Sequence, residues 1–397
     1  MINQKMRELG AHRSVIRELF EYGKQRKAEI GEDKVFDFSL GNPTTTPPKE
    51  VVSRLGELIS TKEPTFLHAY TSADGDISVR RAIANYINEC ENESILPDCI
   101  YMTVGAAGAL TSILTALVGE NEEVICLTPY FPEYKVFIER CGGICKEVMT
   151  RPRVFTPDAF KIEEAITEKT AAIIINSPNN PTGVIYSEED ITALAEVLKR
   201  ASQKFGKPIY LISDEPYREL VYSDKKVPFV TKYYDNSIIA YSYSKSFSLP
   251  GERIGYALIC PRISDFDEVR YAIMGAGRAL GFVCAPSLFQ RLLTDTQGVM
   301  PELSEYKKNR DALYNALTEY GYDAVMPEGA FYLFVKALED DAMRFSEIAK
   351  KFELLLVPGD SFGAPGYVRI SYCVGYEVIK NSLPAFKALK EYYEGGK

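Results

Sequence analysis

Five short apolar runs in the middle of this chain are each followed by residues able to do chemistry. After YMTV comes Gly105-Ala106-Ala107-Gly108, after ICLT comes PYFPEY with Phe131, and after AIIIN comes SPNNPTG with Asn180. Asp214 follows IYLIS, and SYSKSFSLPGERIGY, carrying Ser242, Lys245 and Arg253, follows IIAY. Small residues at Gly105, Ala106 and Ala107, opening a helix, offer free backbone N–H groups and a positive dipole end to a phosphate. Ser242 and Arg253 could add a hydroxyl and a planar cation to the same phosphate. Lys245 between them is a candidate nucleophile. Its amine can form a Schiff base with an aldehyde, and cationic neighbours with partial burial favour the reactive neutral form. Asp214 could keep a ring nitrogen protonated, so that the ring withdraws electrons from a carbanion. Tyr217 and Asn180 could bind a ring hydroxyl, and Phe131 could stack on the ring. Taken singly, each residue reads as a turn, a cap, core or solvated surface. Their joint occurrence in order points to a site for a phosphorylated, flat, aldehyde-bearing heterocycle.

The elements that must carry these residues are strands. CIYMTV, EEVICLT, AAIIIN, IYLIS, SIIAYS and IGYALIC alternate with segments of helical period between about 99 and 260. That pattern predicts βαβ units and a largely parallel sheet covered by helices on both faces, with ligands outside the carboxyl ends of the strands. Ser187 and Asp190 have capping-box spacing before a helical stripe, and a further helix is expected over 302–320, stopped by Gly321. Beyond it, FYLFVK, ELLLV and YVRIS suggest a smaller α+β domain onto which the N-terminal residues dock. The expected division is 46–294 for the large cofactor-binding domain, with 1–45 and 295–397 forming the small one.

Composition narrows the partners. The chain has 397 residues, 46% apolar and 25% charged, with a net charge of −9. It is an ordinary globular composition, and its sign is wrong for neutralising phosphodiester backbones, so no nucleic acid is expected. The longest apolar stretches, such as AAIII at 171–175, are far short of the ~20 residues that span a bilayer. MINQKMRELG has no apolar h-region, and a cytoplasmic protein with no membrane partner is expected. Eight cysteines, with Cys126, Cys260 and Cys284 in apolar runs, suit reduced core thiols. With only His12 and His68 there is no zinc ligand set, and no metal is expected.

The motifs together resemble those of the pyridoxal-phosphate enzymes of fold type I, in the class I/II aminotransferase family that includes aspartate aminotransferase. They are LGNP at 40–43, AYTSADGDISVRRAI at 69–83, VGAAGAL at 104–110, PYFPEY at 129–134 and SPNNPTG at 177–183. DEPY at 214–217, SKSFSLPGERIGY at 244–256, PEGAFY at 327–332 and YVRIS at 367–371 complete the set. The resemblance implies pyridoxal 5'-phosphate as cofactor and Lys245 as Schiff-base lysine and proton carrier. It makes Asp214 the partner of the pyridine nitrogen, and Asn180 and Tyr217 partners of the 3-hydroxyl. Gly105, Ala106, Ala107, Ser242 and Arg253 are implied as phosphate ligands. Tyr70 would reach that phosphate from the other subunit of a homodimer with shared active sites. Arg369 becomes the clamp for the substrate α-carboxylate, helped by backbone at Gly41, and cis bonds are implied at Thr128-Pro129 and Asn180-Pro181. Phe131 stands where some relatives have Trp, Tyr134 where some have His, and Ala106-Ala107 where hydroxyl or amine side chains are common.

The implied activity is an aminotransferase of amino-acid metabolism moving the α-amino group of an aspartate, aromatic or alanine-like donor to a 2-oxo acid, usually 2-oxoglutarate. A carbon-sulfur β-lyase on the same fold is an alternative, and a non-catalytic regulatory chain is another. Arg278 in GAGRALGF is the nearest candidate for reading a distal carboxylate, against its reading as a solvated loop arginine. An apolar pocket with Tyr70, Phe131 and residues near Ile16 is equally open.

Overall fold

The computed structural model describes residues 2–11 and 14–395, so His12 lies outside the described residues. Seven strands form the central sheet. In spatial order they are Ile100–Thr103, Gly255–Ile259, Ser237–Ser242, Tyr210–Asp214, Thr170–Asn176, Glu123–Thr128 and Ile144–Met149. Four neighbouring pairs are parallel, while Gly255–Ile259 runs antiparallel to both strands beside it. That reversal matters for function. It brings the N-terminal end of Gly255–Ile259, and with it Arg253, to the rim where the other strands deliver their carboxyl ends.

Thr170–Asn176 is buried at all seven positions. Ile173 and Ile175 pack into one apolar cluster, while Ala172 and Ile174 pack into another on the opposite face, as expected for a strand covered by helices on both sides. The expected capping box is present: the Ser187 hydroxyl accepts from the Asp190 N–H, and the Asp190 carboxylate accepts from Ser187. The helix it opens, Glu188–Phe205, ends at left-handed Gly206.

A second, four-stranded antiparallel sheet holds Val357–Pro358, Tyr367–Ser371, Tyr332–Lys336 and Ala324–Val325. The helix expected over 302–320 is Ser304–Glu319, whose Tyr306, Leu313 and Leu317 join the core around this sheet. Phe36–Asp37 pairs in parallel with Leu354–Leu355, tying the N-terminal segment to the C-terminal one. Thr128-Pro129 and Asn180-Pro181 are cis, as the resemblance implies, and so is Ser177-Pro178. All eight cysteines are free; Cys126 and Cys260 are buried and Cys284 is only partly so. Among the described residues no group of three or more His, Cys, Asp or Glu could hold a metal ion. No described helix is long and apolar enough to cross a membrane.

Candidate active site

The rim residues converge on one cavity of about 280 Å³, bounded on the far side by Gly41, Tyr332 and Arg369. Lys245 sits on a four-residue helix, Tyr243–Ser246, that directly follows a central strand. Ser242 caps it, its hydroxyl accepting from the Ser244 N–H at 3.2 Å. The Lys245 ammonium donates to the Gly41 carbonyl at 2.7 Å. Burial lowers its pKa to about 8, Arg253 and Arg369 push the same way, and Cys373 opposes them. A substantial part of the amine is therefore neutral near physiological pH.

Asp214 ends the neighbouring strand and is 5% exposed. Its Oδ2 accepts from the Tyr134 hydroxyl at 2.5 Å, and its Oδ1 is buried without a partner. Burial raises its pKa to about 7, partly offset by the Tyr134 bond. A buried carboxylate oxygen without a donor is costly, and a protonated ring nitrogen would both satisfy it and restore its charge. Asn176 and Asp214 are paired in register across adjacent strands. The Asn176 amide donates to the Asp214 carbonyl at 2.8 Å and accepts from the Asn180 N–H at 2.7 Å, fixing the SPNNPTG turn to the Asp214 strand.

The helix Gly105–Leu117 opens with no side-chain cap, so its first N–H groups remain available to an anion. Gly105 has φ +77°, and a Cβ there would lie 2.9 Å from Arg253 Nη2. Glycine is required where helix start and guanidinium approach each other. Arg253 reaches back to the Val104 and Pro250 carbonyls and the Ser244 hydroxyl.

Arg369 is 2% exposed. Its guanidinium donates to the Ser39 carbonyl at 2.5 Å and to Asn180 Oδ1 at 3.1 Å, and lies 4.6 Å above the Tyr332 ring. Nε is buried with no partner, burial lowers the guanidinium's pKa, and among the described residues no carboxylate forms an ion pair with it. An anion is the missing partner. Tyr217 and Tyr332 share a hydroxyl hydrogen bond of 2.8 Å in the same wall. A Cβ at Gly41 would strike the Tyr332 hydroxyl at 2.0 Å, so the Gly41 main chain is pressed against that tyrosine.

The family model for aminotransferase class I and II matches residues 33–383. The chain belongs to the class I and II aminotransferase family. An aspartate aminotransferase of Thermotoga maritima is 30% identical over 388 residues, covering 96% of this chain and 97% of its own. A crystal structure of an amino transferase from Eubacterium rectale superposes with a TM-score of 0.97 at 50% identity, covering 99% of each chain. The Thermus thermophilus aspartate aminotransferase with maleate gives 0.84 at 26% identity, covering 98% of this chain and 99% of that one. The protein is a pyridoxal-phosphate-dependent aminotransferase of fold type I, and an amino acid and a 2-oxo acid are its substrates.

The residues present fit that cofactor: an orphaned Asp214 oxygen, an uncapped helix start beside Arg253, Phe131 in the wall and a lysine with a depressed pKa. Of the residues expected from sequence, Gly41, Ala106, Ala107, Phe131, Asn180, Asp214, Tyr217, Ser242, Lys245, Arg253 and Arg369 line the cavity, with Gly105 against Arg253. Tyr70 does not line it and is 85% exposed. Arg278 lies exposed near the end of helix Phe266–Ala279, also outside the cavity. Ile16 and Leu40 form part of the apolar wall. Sequence reasoning missed Asn176, Ser244, Tyr332 and the bond from Tyr134 to Asp214. Asn176 and Ser244 had a signal, as each stands one residue from an expected site segment or residue. Tyr332 is 115 positions from Tyr217, and only the fold brings the two together.

Proposed function

We propose that this aminotransferase attaches its cofactor covalently at Lys245 and takes its amino group from an aspartate, aromatic or alanine-like donor, passing it to 2-oxoglutarate. The single observation carrying this reading is that one cavity is lined by the buried Lys245 amine, held by the Gly41 carbonyl, and by two residues with an unpartnered buried polar atom, Asp214 Oδ1 and Arg369 Nε. When bound, pyridoxal phosphate supplies an aldehyde for the amino group and a ring that withdraws electrons from the α-carbon. Lys245 moves the proton to and from the α-carbon through Nζ, a positioned general base of the kind that contributes about 10²- to 10⁴-fold. Asp214 holds a proton at the ring nitrogen, with Tyr134 orienting the carboxylate. Asn180 and Tyr217 bind the ring hydroxyl, and Gly105, Ala106, Ala107, Ser242 and Arg253 hold the phosphate. Ser244 accepts a hydrogen bond from Arg253 and helps to hold its guanidinium. Arg369 clamps the α-carboxylate common to every amino acid, the planar fork suiting two oxygens at once; the Gly41 main chain closes that side.

The functional unit in this reading is a symmetric homodimer in which Tyr70 of each chain completes the phosphate site of the other. Phe66, Tyr70 and Ile77 are all large and exposed within twelve residues, as an isologous apolar contact would require. Residues 46–294 act as the cofactor-binding domain, with 1–45 and 295–397 as the smaller one. A panel of aspartate, aromatic and alanine-like donors, assayed with 2-oxoglutarate, tests the substrate reading. Turnover with at least one class supports it, and none with any of the three refutes it.

A further inference from the structure

A second cavity lies behind the turn that carries Lys245. The helix Tyr243–Ser246 presents Lys245 to the active-site cavity and Tyr243 and Ser246 to a separate space of about 190 Å³. The segment after Asp214 is shared in the same way, with Asp214 and Tyr217 on the first space and Glu215, Arg218 and Glu219 on the second.

The wall of this second cavity is acidic and aromatic. Glu91, Glu215 and Glu219 face a single guanidinium, Arg218. Arg218 is already engaged, donating to Glu215 and to Glu91 at 2.8 Å each. The other Glu215 oxygen accepts from the Ser213 hydroxyl at 2.8 Å, and the other Glu91 oxygen from Lys232 at 2.9 Å. Glu219 alone is left over. Its Oε1 accepts from the Tyr241 hydroxyl at 2.7 Å, while its Oε2 is buried with no partner. Such an oxygen calls for a donor. With Arg218 and Lys232 both counted, Glu219 is the one carboxyl group of the three without a salt-bridge partner among the described residues, and burial pushes its pKa up, which a bound cation would oppose.

The aromatic residues suit the same occupant. Tyr241 and Tyr256 stack at 4.9 Å between ring centroids, Tyr243 meets Tyr241 edge-on at 5.0 Å, and Tyr86 also lines the cavity. Ring faces attract cations, and ammonium groups bind in cages of tyrosines. Exposed Cys90 and Met300 stand at the outer edge, giving a route from solvent.

From these features we infer that the second cavity binds a small organic cation, an ammonium group on an aromatic or aliphatic body, with its charge against Glu219. Because both cavities share the Lys245 turn and the Asp214 segment, occupation of the second alters the reaction in the first. Coupling between two sites of this kind is commonly about fivefold or more in affinity.

The probe is N,N-dimethylbenzylammonium, with the uncharged N,N-dimethylbenzamide as its counterpart, titrated into the holoenzyme by calorimetry and in initial-rate assays. The tertiary ammonium has one N–H for Glu219 Oε2 and cannot condense with the cofactor aldehyde to a neutral imine. The expected result is that the cation binds about tenfold or more tightly than the amide, changes kcat without competing with the amino donor, and loses that advantage in Glu219→Gln. Equal binding of cation and amide by the wild type overturns the inference, and that comparison stands even if Glu219→Gln does not fold. Competition with the amino donor also overturns it, since the probe would then occupy the active-site cavity. Retention of the preference by a folded Glu219→Gln removes Glu219 as the recognition group.

Discussion

Lys245 can act as nucleophile and base only while its amine is neutral, and the cavity favours that form. Its folded pKa of about 8 lies below the ordinary lysine value of 10.5, so the neutral fraction grows as pH rises and saturates above 8. Below that point it grows about tenfold per pH unit. The rate at which apoprotein recovers its visible absorption with added pyridoxal phosphate should therefore climb between pH 6 and 8 and flatten beyond. A rate still climbing steeply at pH 10 would mean that burial does not depress this lysine. That Lys245 and Asp214 meet in one cavity was legible from chemically specific residue types after successive strands, and that Arg369 joins them was legible through the resemblance carried by YVRIS. The Tyr134 bond to Asp214 was not, because it joins positions 80 apart. Nor was Tyr332, whose part in the wall depends on the approach of the smaller antiparallel sheet.

At the scale of elements, the site is a rim where strand ends and helix starts meet, and Gly105 is the point where the helix start and the Arg253 guanidinium press together. An alanine there would carry a Cβ 2.9 Å from the Arg253 guanidinium and hold a φ of +77° that side chains rarely adopt. Gly105→Ala is predicted to weaken cofactor retention at least about tenfold, through displacement of Arg253 and the helix start. The loss of stability should be only about 1 kcal/mol. Equilibrium dialysis of the cofactor and thermal melting of the apoprotein separate the two effects. Unchanged affinity would remove the helix start from the phosphate site. Six of the seven central strands were legible as apolar runs. The seventh, Ile144–Met149, was hidden because it is an edge strand with mixed exposure, its Lys146 and Glu147 breaking the apolar run. The reversed direction of Gly255–Ile259 was also invisible, since an apolar run carries no sign of its direction. The connection over 243–254 holds only the short helices Tyr243–Ser246 and Pro250–Glu252 and returns to the same rim instead of crossing over the sheet.

The whole molecule raises the question of where Tyr70 acts. At 85% exposure it lies outside its own chain's active-site cavity, and the homodimer proposed here gives it work in the partner. Tyr70→Ala and Lys245→Ala should each be strongly impaired, yet mixed dimers should regain activity. Half of the dimers in an equal mixture pair the two variants, each with one intact site of two, giving about a quarter of wild-type activity. Activity no higher than the sum of the separate variants would place Tyr70 outside the site. The order of elements along the chain was readable from the residues themselves, whereas the homodimer was implied by the resemblance alone, because exposed residues acquire a role only in a contact that one chain does not contain. Beneath every scale lies the claim that Lys245 holds the cofactor. Borohydride reduction of the holoenzyme, followed by proteolysis and mass spectrometry, tests it most directly. The predicted result is a stable pyridoxyl-phosphate mass on the peptide containing Lys245 and on no other; a label on a different lysine, or none, would contradict the account.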